Sequence, residues 1–273
     1  HESRLNPRTL GRYRVIGTVS WIATTIAVGF LWESSGLVNL PPLIYAGGFV
    51  SLALVSFGGV QSRIRKVAIP WEHLKKDKMF RRFLVFSFLQ ATALISSHGY
   101  TSYFMDDIHI NFFFIGLAFG ISALTEVPAM FFSGEIEKRI GSRKMVISGT
   151  LILIIKLFLL FWFATIRMPL LTIFAMSIHG IGYGLQFNGM INLIDSYAHS
   201  RLRATYMAIF AMVNASLAGA AGGFLTAELI KFLGSTAMLA VNACIGSIAV
   251  LFFIFFVRDK TPHDSLPQDQ SLN

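Results

Sequence analysis

Runs of about twenty apolar residues recur eight times along this chain, at 15–33, 41–60, 83–104, 112–133, 145–165, 169–193, 205–229 and 236–257. Each is as long as a helix must be to cross a hydrocarbon core of about 30 Å. The breaks between them are short and polar or proline-bearing, such as Glu33 to Pro42 and Arg167 to Pro169, except for a longer basic stretch from Gln61 to Arg82. This pattern predicts an all-α polytopic membrane protein with about eight transmembrane helices.

The basic residues support that division, because Lys and Arg accumulate in the cytoplasmic loops of membrane proteins. With eight spans, one side collects Arg4, Arg8, Arg12 and Arg14, then Arg63, Arg65, Lys66, Lys75, Lys76, Lys78, Arg81 and Arg82. The same side continues with Lys138, Arg139, Arg143, Lys144, Arg201, Arg203, Arg258 and Lys260. The opposite side has only Arg167 and Lys231, and Lys156 falls inside a span. An odd number of spans would break this alternation. Both ends of the chain are therefore expected on the cytoplasmic face of a bacterial-type inner membrane.

Composition agrees: of 273 residues 54% are hydrophobic and 14% charged, against about a quarter charged in ordinary soluble domains. The formal charge of +9 would suggest nucleic acid in a soluble protein. Here the basic residues lie in the loops, so the charge reads as orientation and no nucleic-acid partner is expected. The single cysteine, Cys244, rules out an intrachain disulfide or a CxxC motif within the chain and reads as a small packing residue. No HExxH, P-loop or GxSxG pattern occurs, so neither an enzyme nor a metal or cofactor site is expected.

The expected organisation is a two-helix end of one bundle over 1–60, a cytoplasmic linker over 61–82, a six-helix bundle over 83–257 and a disordered cytoplasmic tail over 258–273. His1 to Arg14 lacks the apolar core of a signal peptide, and the chain reads as beginning part-way through a longer arrangement.

Three ionisable side chains, Glu126, Lys156 and His179, each occupy the middle of a different span. A charge at the centre of an inserted helix costs roughly 2.5–3.5 kcal/mol on insertion scales, so such groups face each other or a wet path. Glu126 lies in Thr125-Glu126-Val127-Pro128, where the proline should kink the helix. Lys156 is too far from either end of its span to snorkel; it reads either as a bridge to Glu126 or as a substrate contact. His179 lies in a glycine-rich run, Ile178-His179-Gly180-Ile181-Gly182-Tyr183-Gly184, that lets a neighbour approach closely. His98, in Ser96-Ser97-His98-Gly99, reads as interhelical glue. Asn188 and Asn192 share a face four residues apart and are candidate ligands. Gly219 and Gly223 give a GxxxG spacing that predicts close packing, and Asn214 and Asn242 look isolated.

The stretch from Gly116 to Lys144, with Glu126-Val127-Pro128 and Gly134-Glu135-Ile136-Glu137-Lys138-Arg139-Ile140-Gly141-Ser142-Arg143-Lys144, resembles the span-loop-span signature of major facilitator transporters. Lys138 stands where that loop pattern has an acid, and Ser142 where it has an arginine. The run Gly11-Arg12-Tyr13-Arg14-Val15-Ile16-Gly17-Thr18-Val19-Ser20-Trp21 resembles the start of the fifth helix in the lactose-permease-like branch, which includes nucleoside and phenylpropionate permeases. Arg203-Ala204-Thr205 and the glycines at 219–223 extend the likeness over nearly the whole chain.

The resemblance implies a partial major facilitator fold in which the eight spans correspond to family helices five to twelve. The first four helices, or a complementary chain, would complete it. It further implies secondary active transport by alternating access, most simply proton-coupled symport of a small polar organic solute such as a sugar, nucleoside or aromatic acid. The partners are then solute, proton and lipid bilayer. By the resemblance Trp21 stacks on substrate, Arg14 pairs with substrate and Glu126, and His179 hydrogen-bonds near the substrate. Proton coupling is expected to involve Glu126, His179 and Lys156. Gly182 replaces the glutamate that carries the proton in the relative, so coupling would fall to Glu126 or to the absent half, or be lost. Other expectations left open are a uniporter, a proton-driven exporter, and a degenerate half-transporter serving only as a membrane partner.

Overall fold

The computed structural model describes residues 21–32, 77–198 and 202–257, and all the described secondary structure is helical. The expected span 41–60, the linker up to residue 76 and the tail from 258 lie outside the described residues, as do Arg14 and the segment around it. The helices are α1 Trp21–Trp32, α2 Lys78–Gln90, α3 Ser96–Gly99, α4 Thr101–Asp107, α5 Phe112–Phe131, α6 Ser133–Ile140, α7 Ser142–Thr165, α8 Pro169–Tyr197, α9 Arg203–Ala211 and α10 Ala218–Phe256. π-turns at Ala91–Ile95 and Met212–Leu217 join α2 to α3 and α9 to α10 without a break.

Five stretches among the described residues are long and apolar enough to cross a membrane, the last of them running from Arg203 to Phe256. That last stretch is two crossings, because Gly234 has φ 86° and ψ 163° and breaks α10 there. Only glycine adopts such a backbone at low cost. The chain thus reverses between the expected spans 205–229 and 236–257. Large apolar side chains such as Leu124, Phe174, Phe224 and Phe255 point outward, as they must where the solvent is lipid. Cys244 also faces outward, so the packing role expected for it is not what the structure shows.

Contacts between helix ends follow the alternation predicted from charge. Asp77 caps α2, accepting from the Phe80 N–H at 2.9 Å and from the Tyr206 hydroxyl at 3.1 Å, so the first helix of this bundle starts at Lys78 rather than at 83. At the same end Arg143 donates to the Val257 carbonyl at 3.0 Å and the Ile254 carbonyl at 2.7 Å, and Arg82 to the Phe256 carbonyl at 3.3 Å. At the opposite end the Ser235 hydroxyl donates to Asp107. The loop pattern between α5 and α7 has a local purpose here. Gly141, at φ 80°, turns the chain, Ser142 donates to Glu137 at 2.5 Å, and Arg143 is aimed at the last helix.

A helix C-terminus leaves carbonyls without partners, and a cation there also meets the negative end of the helix dipole. Arg143→Ala should therefore cost about 1.5–3 kcal/mol, the range for charge-assisted hydrogen bonds, and lower the thermal unfolding midpoint in detergent. Arg82→Ala, losing one longer and exposed bond, should cost less; equal midpoints for both variants and the wild type would contradict this reading.

Candidate functional site

The helices meet where glycine removes the side chain between them. A Cβ at Gly180 of α8 would stand 2.1 Å from the Ser122 carbonyl oxygen, 2.4 Å from the Glu126 nitrogen and 2.5 Å from the Thr125 hydroxyl of α5. Backbones this close allow Thr125 to donate across the seam to the Ser177 carbonyl at 2.6 Å. Four residues on, a Cβ at Gly184 would meet the Ala129 side chain at 2.8 Å. The sequence places Glu126 beside Pro128 and His179 beside Gly180; the fold puts both on the two walls of one seam.

On its other face α8 meets α7. A Cβ at Gly149 would stand 2.4 Å from the Gln186 nitrogen and 2.5 Å from the Gly182 carbonyl, and one at Gly182 would meet Ile152 at 2.9 Å and the Gly149 carbonyl at 3.1 Å. Gly182 therefore sits in a helix seam with no room for a carboxyl side chain, which gives a packing reason for glycine at this position.

Lys156 projects from α7 and is buried, 1% exposed. The bridge to Glu126 weighed from the sequence is not formed: among the described residues the ion pairs are Arg203 with Asp195 and Lys231 with Glu228. Lys156 instead lies near enough to act electrostatically on His98 and His179. Those two imidazoles are stacked, with ring centroids 3.8 Å apart and planes 6° from parallel. Phe119 closes on His98 at 5.2 Å, and from His179 the near-parallel rings continue along α8 to Tyr183 at 5.9 Å and from there to Phe187 at 5.6 Å. His98 is thus half of an imidazole pair, not simple glue, which nothing in its own span reveals.

A second polar cluster lies deeper in the same bundle. The Asn214 side-chain oxygen accepts from Ser87 and from Gln90, both at 3.0 Å. Gln186 donates to Gln90 at 3.0 Å and to Thr150 at 2.8 Å. These bonds tie α2, α7, α8 and the second π-turn together. The first π-turn meets α10 at Gly222, where a Cβ would lie 2.4 Å from the Thr92 carbonyl. Both π-turns therefore lie at interhelical contacts, and π-bulges within α-helices are frequent at functional sites. Close packing in the glycine cluster is carried by Gly222, since Gly219 and Gly223 face open space. Asn214 and Asn242 are not isolated either: Asn242 donates to Thr226 at 3.3 Å.

Residues 4–223 match the family model of the Major Facilitator Superfamily. This chain belongs to that superfamily. As a major facilitator protein it is 24% identical over 282 residues to Putative nucleoside transporter YegT of Escherichia coli (strain K12), a match covering 91% of this chain and 65% of that relative. The chain thus spans about two thirds of the relative's length.

Within the major facilitator frame, α1 lies against α5. A Cβ at Gly29 would stand 2.6 Å from the Phe112 carbonyl and one at Gly116 2.5 Å from the Thr25 carbonyl, while Gly120 faces Ile22 and Ile26. The register is antiparallel and brings Trp21, which is 57% exposed, to within roughly 8 Å of the level of Glu126 along the α5 axis at 1.5 Å per residue. Asn188 donates to the Gly184 carbonyl of its own helix at 2.7 Å. Of the site residues expected from the sequence, the described structure gathers His179 and Lys156 around His98. It sets Glu126 on the adjoining seam and leaves Trp21 and Asn188 further out.

Proposed function

We propose that this protein is a secondary transporter that moves a small polar organic solute across a bilayer by alternating access, driven by proton symport. The observation that carries this reading is the α5–α8 crossing, where a membrane-embedded carboxyl and a buried imidazole are mounted on backbones in direct contact. A group on each wall of a seam can respond together when the seam rocks. Glu126 is the proton-carrying group, while His179 on the facing helix and Lys156 on α7 set the charge around it. Arg14, Trp21, Glu126, His179 and Asn188 form the solute site. The two-bundle division, with 1–60 in one bundle, 61–82 as linker, 83–257 as the other and 258–273 as tail, belongs to the same proposal. So do the cytoplasmic placement of both chain ends and completion of the path by further helices or a complementary chain.

Support for transport also comes from family membership, and the name of the relative favours nucleosides among the solute classes. The test is uptake of labelled uridine, a galactoside and benzoate into proteoliposomes with an imposed acidic exterior. A pH difference of one unit stores about 1.4 kcal/mol per proton, enough for about tenfold accumulation at one proton per solute. Symport requires that accumulation to collapse when a protonophore is added. Equilibration that ignores the protonophore would instead mean uniport, and loss of preloaded solute on acidifying the exterior would mean export.

A further inference from the structure

Among the described residues, three nitrogen-bearing groups come together with no acid ion-paired to any of them. The Nδ1 atoms of His98 and His179 are both buried without a hydrogen-bond partner. His179 as a whole is 8% exposed, and Lys156 beside them makes no ion pair among the described residues. Leaving a buried polar group unsatisfied is costly, and an unpaired buried ammonium costs more. Helices α3, α7 and α8 each contribute one such group to one place.

Lys156 lacks a counter-charge among the described residues, and each imidazole leaves its Nδ1 without a partner. An ammonium can only donate, and each neutral imidazole has one N–H to give. An oxyanion takes several such bonds at once, and charge-assisted bonds of this kind are shorter and stronger than neutral ones. The surroundings add a second requirement. The rings of His98, His179, Tyr183 and Phe187 form a near-parallel ladder, with Phe119 against its end, so the lining beside these nitrogens is aromatic and suits an aromatic partner.

We infer that Lys156, His98 and His179 form a binding site for the oxyanion of a planar aromatic solute, that is, an aromatic carboxylate. The inference rests on the transport reading but departs from its choice of nucleosides, since a neutral nucleoside would leave Lys156 without a counter-charge. It also adds Lys156 and His98 to the solute site, with Glu126 on the α5 seam as the proton-carrying member of that site.

The test measures binding of benzoate and of its neutral isostere benzamide to the purified protein in neutral-lipid nanodiscs by calorimetry. Benzoate should bind at least about tenfold more tightly, as expected when one charge-assisted contact discriminates. Lys156→Met should bring the ratio to about one. His98→Phe, which keeps a flat ring against His179 and removes the nitrogens, should lower the ratio while the unfolding midpoint stays close to that of the wild type. Equal binding of the two compounds by the wild type overturns the site, as does a ratio that survives both substitutions. If Lys156→Met does not fold, His98→Phe decides alone. Carboxylate-selective binding without uptake into vesicles sustains the site and overturns transport; proton-driven uridine uptake with no benzoate preference does the reverse.

Discussion

Gly180→Ala is expected to be among the most damaging single-methyl changes in this bundle. The added carbon would have to occupy a position 2.1 Å from the Ser122 carbonyl oxygen and 2.4 Å from the Glu126 nitrogen, and neither is the end of a side chain that can swing away. Relief requires α5 and α8 to separate by most of an ångström along the seam. That would stretch the 2.6 Å bond from Thr125 to Ser177 and loosen the contact at Gly184. Ordinary overpacking costs about 1–3 kcal/mol and occasionally more, and the rigidity of both partners puts this case at the upper end or beyond. The control is Gly223→Ala, where the new methyl meets nothing within 4 Å. There the intrinsic helix preference of alanine over glycine, about 1 kcal/mol, should leave stability unchanged or raised. Thermal unfolding in one detergent compares the two. An unchanged midpoint for Gly180→Ala would mean that the helices do not cross as described.

How much of this was legible beforehand differs between the spans and their pairings. The described spans follow from lipid chemistry, which demands about twenty apolar residues in a row; Phe112–Phe131, Ser142–Thr165 and Pro169–Tyr197 lie close to their expected limits. The helix boundary at Lys78 was blurred because Arg81 and Arg82 lower the local hydropathy while Asp77 supplies a cap. Partners were far harder to read, since one helix in lipid is nearly as apolar as another and period alone does not orient it. Opposite charge alone pairs Lys156 with Glu126, yet the ridge on α7 that carries it faces α8, where Ile152 and Leu153 meet Gly182.

The same limit explains the other surprises. His98 and His179 are 81 positions apart, and their stack depends on how α3 settles after a π-turn that no local pattern announces. The GxxxG spacing pointed to the right helix but the wrong glycine, because the pattern cannot say which of Gly219, Gly222 and Gly223 faces the neighbour. Gly182 looked like a lost carboxylate when compared with the family, and the seam at Gly149 shows that a larger side chain has no space there.

Glu126→Gln should abolish uphill transport while sparing exchange at equilibrium. The amide keeps the size of the carboxyl and removes its charge and its ability to take and release a proton. An unfolding midpoint close to that of the wild type is the control that the variant folds. The helix around it is already adapted to an interruption: Pro128 lies within α5 and cannot donate the backbone bond that a regular helix would make there. In proteoliposomes with one pH unit across the membrane, the wild type should accumulate solute about tenfold and the variant about onefold. Solute-for-solute counterflow, which needs the bundles to rock but no net proton movement, should continue in the variant at a comparable rate. Loss of both activities with an unchanged unfolding midpoint would leave Glu126 a role in the solute site alone and take the proton from it. Undiminished accumulation by the variant would move the proton to another carboxylate and leave the α5–α8 seam a purely mechanical hinge.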